Sequence, residues 1–306
     1  MTITATILVL ISAFTHAGWN FFGKQSVPTL AFFFLVMLIG SVLFSPVIIW
    51  QWPLVKAFDS TIIGFLLLTG LFQAIYLWGL AEAYRAGDMS VAYPIARSSP
   101  LIIVCISTFF LTQQSNISAQ AVLGIIFIVV GCLLLPLSSF TELRLANYCN
   151  RTTLFALIAA CATAGYSLVD DHTTRLMRAL TSGNGEPVTS ATEIALSYVV
   201  LQSMSSLLWM AGFVFRSRMS RRHFYELARH KYRLGLLTAT LMLGTYALVI
   251  LSMAFVDNVS YVVAFRQLSI PLGVLFAVLG LNESLKPPKQ AGVLMTFIGL
   301  VAVALG

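Results

Sequence analysis

Long apolar runs without a single charge dominate the chain. Residues 1–23, 25–55, 60–81, 98–141, 152–169, 194–215, 234–256, 267–282 and 290–306 contain no Asp, Glu, Lys or Arg. A bilayer core takes about 20 apolar residues per helix. The run at 98–141 is too long for one crossing, and the polar cluster Gln113-Gln114-Ser115-Asn116 divides it. The pattern predicts ten transmembrane helices, near 3–23, 29–50, 61–84, 89–112, 118–138, 152–177, 190–215, 232–255, 258–281 and 288–306. A transmembrane β-barrel is excluded, because its strands would alternate apolar and polar positions. The fold class is therefore all-α integral membrane. The first run lacks a basic leader and stays apolar too long for a signal peptide, so it is read as a retained span.

The chain repeats itself. Ala83-Tyr84 followed by Ser98-Ser99-Pro100-Leu101 returns as Ala254-Phe255 followed by Ser269-Ile270-Pro271-Leu272, offset by 171 positions. Gly124 and Gly131 bracket six residues, as do Gly292 and Gly299, and Ala17-Gly18-Trp19-Asn20 is similar to Ala164-Gly165-Tyr166-Ser167. The units predicted are 1–140 and 150–306, each with five spans. An odd span count forces the second unit to enter the membrane upside down. Inverted repeats are a mark of secondary transporters, whose sites lie between the repeats near the bilayer midplane.

Composition sharpens this picture. Of 306 residues, 58% are hydrophobic and 9% charged, against roughly a quarter charged in soluble domains. A surface so poor in charge needs lipid around it. The net charge of +7 invites a nucleic-acid partner. Its placement argues against one: Arg216, Arg218, Arg221, Arg222, Arg229, Lys231 and Arg233 all sit in the connection between the seventh and eighth spans. Short basic loops beside spans follow the positive-inside rule. With both termini outside, inner loops would hold 13 Lys and Arg and outer loops 3, so the count places the termini outside. Cys105, Cys132, Cys149 and Cys161 show no paired spacing and imply neither disulfide framework nor metal site.

Ionisable residues within spans are functional candidates. Arg97 lies in the fourth span and Arg266 in the ninth. Each needs a cavity or a carboxylate, and Glu82 is the nearest acid in sequence, with Asp257 its rough counterpart. A structural ion pair and a contact with substrate or proton are both open readings. The fourth span begins Tyr93-Pro94-Ile95-Ala96-Arg97-Ser98-Ser99-Pro100, where two prolines free backbone carbonyls. His16 and Asn20 share a face of the first span, with Trp19 beside them. Tyr76, Tyr166 and Tyr246 lie deep in their spans, where they either wall a cavity or pack. Asp170-Asp171-His172 looks metal-like, but adjacent helical residues diverge by about 100° and cannot all chelate one ion.

Several of these segments resemble a known family. His16-Ala17-Gly18-Trp19-Asn20 with Lys24, and the stretch from Ala83-Tyr84-Arg85-Ala86-Gly87-Asp88 through Tyr93-Pro94-Ile95-Ala96-Arg97, are similar to bacterial EamA-like proteins of the drug/metabolite transporter superfamily. Leu281-Asn282-Glu283-Ser284-Leu285 resembles that family's Gly-Glu turn, with Asn at the Gly position. The resemblance implies ten helices in two inverted five-helix repeats, around a central cavity lined mainly by helices 1, 3, 4, 6, 8 and 9. It also implies a multi-pass protein of the bacterial inner membrane. Many relatives are drawn with termini inside, opposite to the charge count.

The function expected is a secondary carrier that moves a small metabolite or drug-like molecule by alternating access, with proton coupling through Glu82 or His16 as an option. The substrate-binding candidates are His16, Trp19, Asn20, Tyr76, Glu82, Tyr93, Arg97, Tyr166, Tyr246 and Arg266, with the arginines meeting an anionic group. No cofactor is implied, since no nucleotide-binding loop is present. The partners are the substrate and the bilayer; the pattern does not set the oligomeric state. The alternative is an integral membrane enzyme acting on lipid or isoprenoid substrates. It would need clustered acids or histidines, whereas His16, His172, His223 and His230 are scattered.

Overall fold

A computed structural model describes residues 3–26, 28–99, 102, 118–141, 148–181, 190–253 and 266–305. The described residues form helices and connections, with no strand among them. The helices are α1 (Ile3–Gln25), α2 (Leu30–Phe44), α3 (Pro46–Trp50), α4 (Trp52–Lys56), α5 (Ser60–Ala86), α6 (Met89–Ala96), α7 (Ala119–Leu134), α8 (Arg151–Thr181), α9 (Ala191–Val214), α10 (Arg218–His230), α11 (Tyr232–Met253), α12 (Ser269–Leu281) and α13 (Pro287–Leu305). Among the described residues, six segments are long and apolar enough to cross a bilayer: α1, α2 with α3, α5, α8, α9 and α11. α7, α12 and α13 are apolar but shorter. Most of the second half of the fourth predicted span, the start of the ninth, the 113–116 cluster, Pro100, Cys105, Arg144 and the Ala254-Phe255 and Asp257 positions lie outside the described residues.

Local chemistry sets the boundaries. Asp59 caps α5 by accepting from Ile62 N–H at 2.9 Å, and Ser190 with Glu193 forms a capping box on α9. Pro46 interrupts the second predicted span: α2 stops at Phe44 and α3 begins at the proline. The fourth predicted span departs further from a continuous helix. α6 ends at Ala96, and Arg97 and Ser98 leave the helix, their N–H groups turning back to Tyr93 and Ile95 carbonyls. Pro94 lacks the N–H that would continue the ladder. Gln267 and Leu268 form the corresponding turn before α12. The chain is thus broken beside both buried Arg97 and half-buried Arg266.

The basic connection is not a bare loop. It holds α10, capped by Ser217, with Phe224 seated on Phe34 of α2 and Phe215, and with Leu227 buried one turn on.

Helices pack in matched pairs. α1 lies on α11 and α5 on α8; α1 touches α12 and α6 touches α8; α2 meets α9, and α7 meets α13. The α7–α13 crossing is made of glycine. Gly124 faces Gly299 and Gly131 faces Gly292, with backbone against backbone, the close approach that small residues permit in lipid. Large apolar side chains such as Ile7, Leu10, Ile11 and Phe14 of α1 stay exposed, as lipid-facing residues do.

Candidate functional site

Helical spacing delivers the site. α1 presents His16 and Trp19, three residues apart, and Trp19 Nε1–H donates to His16 Nδ1 at 3.1 Å. That bond leaves the His16 proton on Nε2, which is buried with no partner among the described residues. α5 contributes Gln73 and Tyr76, α8 Tyr166, α9 Gln202 and Ser203, and α11 Thr245 and Tyr246. With Arg266 they line one cavity of about 50 Å³. The rings of Tyr76 and Tyr166 meet edge-on at 5.9 Å across the two halves.

Arg97 is not among the cavity-lining residues; it reaches the turn that carries Arg266. It is 8% exposed, and its Nη2 donates to Gln267 Oε1 at 3.4 Å, one residue from Arg266. Its Nε has no partner among the described residues. Neither arginine is ion-paired within that set. Tyr93 is buried beside His16, ring centroids 6.1 Å apart.

Four sequence candidates, Asn20, Glu82, Tyr93 and Arg97, are not among the cavity-lining residues, and the first two of them are engaged elsewhere. Asn20 is buried between α1 and α5, accepting from Tyr84 Oη–H at 2.7 Å and donating to the His16 carbonyl at 2.8 Å. It supports His16 and is not among the cavity-lining residues. Glu82 does not approach Arg97. It pairs with Arg85 at 2.8 Å one turn on, at the end of α5 and facing a different groove, shared with Arg222 and Glu226 of α10. The fourteen residues between Glu82 and Arg97 include a helix end and a turn, which carry the two apart.

The acid that does adjoin the cavity is Asp170, 7% exposed on α8. Its carboxylate accepts from the hydroxyls of Thr69, Tyr198 and Tyr246 and from Gln202 Nε2. Treating it as one of three adjacent metal-like residues hid it. The signal was the polar stripe it shares with Thr163, Tyr166 and Thr173 at helical spacing. Its neighbours diverge as expected: Asp171 pairs with Arg175 at 3.0 Å on the exposed side, and His172 lies against Phe65 at 4.9 Å.

At one end of the bundle, charged and polar groups tie the connections together. Lys24 Nζ donates to the carbonyls of Tyr84 and Gly87, capping α5. Glu283 accepts from the N–H groups of Met89 and Ser90 at 2.8 and 2.9 Å. Lys289, buried, bonds Asp88 at 3.2 Å and Ser90 Oγ at 3.0 Å. Asn282 allows the turn by adopting φ 55°, ψ 33°, left-handed backbone that Gly or Asn takes most readily. That explains why Asn can stand at the Gly position of the motif.

Known proteins agree with this architecture. Residues 3–137 match the model of the EamA-like transporter family. No curated protein matches the chain. A crystal structure of a protein 16% identical aligns over 98% of this chain and 98% of its own, with a TM-score of 0.55; a likeness at that identity speaks for the fold alone.

Proposed function

With residues 3–137 matching the EamA-like transporter family as premise, we propose that this chain is a secondary carrier of the bacterial inner membrane that moves a small organic anion or zwitterion by alternating access. The observation that carries the reading is the convergence of His16, Trp19, Tyr76, Tyr166, Tyr246 and Arg266 on one cavity inside the bundle. An unpaired guanidinium in a bilayer interior is costly unless it meets an anion. A carboxylate would take Arg266, with Arg97 behind it, and the aromatic rings of Trp19, Tyr76 and Tyr166 would hold an apolar or aromatic body.

Ten spans in two inverted units, 1–140 and 150–306, account for the packing. If the halves exchange, the pair α1–α11 becomes α8–α5, α1–α12 becomes α8–α6, and α7–α13 maps on itself. The breaks beside Arg97 and before α12 fall at equivalent places, as in transporters built on discontinuous helices. The accessible volume of the cavity, about 50 Å³, suits water better than a metabolite, so the carrier reading requires a second, wider arrangement. The helices must part for substrate to enter. The enzymatic alternative is not favoured: His16 lies in the cavity wall, His172 against Phe65, and His223 on α10.

Counterflow in proteoliposomes tests the carrier reading. Vesicles loaded with unlabelled phenylalanine, benzoate or glutamate should take up the matching radiolabelled compound in at least one case, and Arg97→Ala should remove that exchange. Uptake no greater than in protein-free vesicles for the whole panel would overturn this choice of anion, and intact exchange in Arg97→Ala would take Arg97 out of the site.

A further inference from the structure

We propose that Asp170 is the proton-binding site of this carrier, and that adding a proton there releases Tyr246 and loosens the wall of the cavity. The inference rests on the carrier reading and supplies its coupling group.

The geometry is a clasp of four helices around one carboxylate. Thr69 of α5 and Tyr198 of α9 donate their hydroxyls to Oδ1, Gln202 of α9 reaches both oxygens at 3.1 and 3.2 Å, and Tyr246 of α11 donates to Oδ2. A carboxylate offers about four lone-pair sites, and these donors fill them. No Lys, Arg or His is among its partners in the described residues. The titratable groups facing Asp170 are phenols: Tyr198 on α9, Tyr246 on α11, and Tyr166 one turn away on α8 itself. α5 offers only Thr69 at this level, and the arginine following α6 is turned to Gln267. Among the described residues the hydrogen bonds to the charge all come from neutral dipoles, with the Arg266 guanidinium lining the same cavity as Tyr246 and Gln202, an arrangement that a single proton changes completely.

The chemistry is a simple addition. A proton from cavity water binds Oδ2, and the carboxylate becomes a neutral carboxylic acid. That oxygen now carries its own hydrogen, so it and the Tyr246 hydroxyl are both donors on one axis. Tyr246 must rotate to accept, or leave. Thr69 and Tyr198 remain on Oδ1. Because Tyr246 and Gln202 both line the cavity beside Arg266, protonation is felt at the substrate's place, and α11 gains freedom relative to α8. Release of the proton to the opposite side restores the clasp. Glu82 is not needed for this, since its carboxylate is engaged with Arg85.

Two measurements decide it. In infrared difference spectra of the reconstituted wild type between alkaline and mildly acidic buffer, a protonated-carboxyl band should appear and should shift when the protein is made with carboxyl-¹³C aspartate. This arm needs neither a substrate nor a substitution, and the same band should be missing in Asp170→Asn. An unshifted band, or one that persists in Asp170→Asn, overturns the proposal. In proteoliposomes, using whichever of phenylalanine, benzoate or glutamate the wild type exchanges, Asp170→Asn should lower the ratio of pH-gradient-driven accumulation to exchange by about tenfold or more. Asp170→Glu should restore part of it. Accumulation at the wild-type ratio in Asp170→Asn also overturns the proposal. If the wild type exchanges none of the probes, the anion reading fails while the infrared result still decides Asp170.

Discussion

Gly131 and Gly292 meet backbone to backbone where α7 crosses α13: a Cβ on Gly131 would lie 2.8 Å from the Gly292 carbonyl oxygen, and one on Gly292 would lie 2.7 Å from that of Gly131. Gly124 and Gly299 repeat the contact at 2.7 and 2.6 Å. Backbone cannot yield as a flexible side chain does. Gly131→Val or Gly292→Val should therefore cost at least about 1–3 kcal/mol through overpacking, read as a lowered thermal midpoint in detergent. Gly64→Ala, where a Cβ would meet nothing within 4 Å, should leave the midpoint unchanged or raise it slightly. Equal behaviour of the three variants would mean that the crossing does not hold the bundle.

The turn after α12 reaches across to the other half of the chain. Glu283 places both carboxylate oxygens on the N–H groups that open α6, where the helix dipole favours a negative charge. Glu283→Ala should cost about 1–2 kcal/mol, the range for losing a capping side chain. Asn282→Gly should be neutral or mildly stabilising, because glycine takes the left-handed backbone without a Cβ penalty. Thermal midpoints of the two variants, measured side by side, check both signs.

What the sequence made legible follows from which signals are local. Charge-free runs mark spans because lipid tolerates so little charge, and the glycine brackets mark the α7–α13 crossing because only glycine lets backbones approach so closely. The break beside Arg97 was half visible in Pro94. By contrast, the partner of a buried group is set by which helices face each other, and adjacency along the chain says little about that. Glu82 is the acid nearest Arg97 in sequence yet ends on Arg85, while Asp170 collects partners 28 to 101 positions away. α10 was masked by its own charge. Its apolar spacing, Phe224 and Leu227, is only one turn long, and the arginines around it read first as a topological signal.

Those placements separate two substitutions that sequence alone would have treated alike. Glu82 makes a partly exposed pair with Arg85, and such pairs contribute about 0–1 kcal/mol. Glu82→Gln should leave counterflow within about twofold of wild type. Arg97→Lys keeps the charge but loses the planar fork that holds Gln267, and exchange should fall by about tenfold, as for a lost charged hydrogen bond. Initial rates of labelled uptake distinguish the cases. A severe loss in Glu82→Gln with a mild one in Arg97→Lys would reverse the assignment of the site.

Orientation offers the last test. The contacts of Lys24, Glu283 and Lys289 bring together the end of α1, the α5–α6 turn and the α12–α13 turn. Thr152, at the start of α8, packs against Gly87 of the same cluster, and α10 lies beside the start of α2. The cations counted as one side in the sequence therefore gather, wherever they are described, at one end of the bundle. The positive-inside rule predicts that this end faces the cytoplasm. Cys149 is exposed in the connection before α8, so a variant keeping Cys149 as its sole thiol reports the side directly. A membrane-impermeant maleimide should leave it unlabelled in intact cells and label it after permeabilisation. Labelling of intact cells would place the basic end outside and both termini inside, and the charge count would have to yield to the orientation drawn for many relatives of this kind.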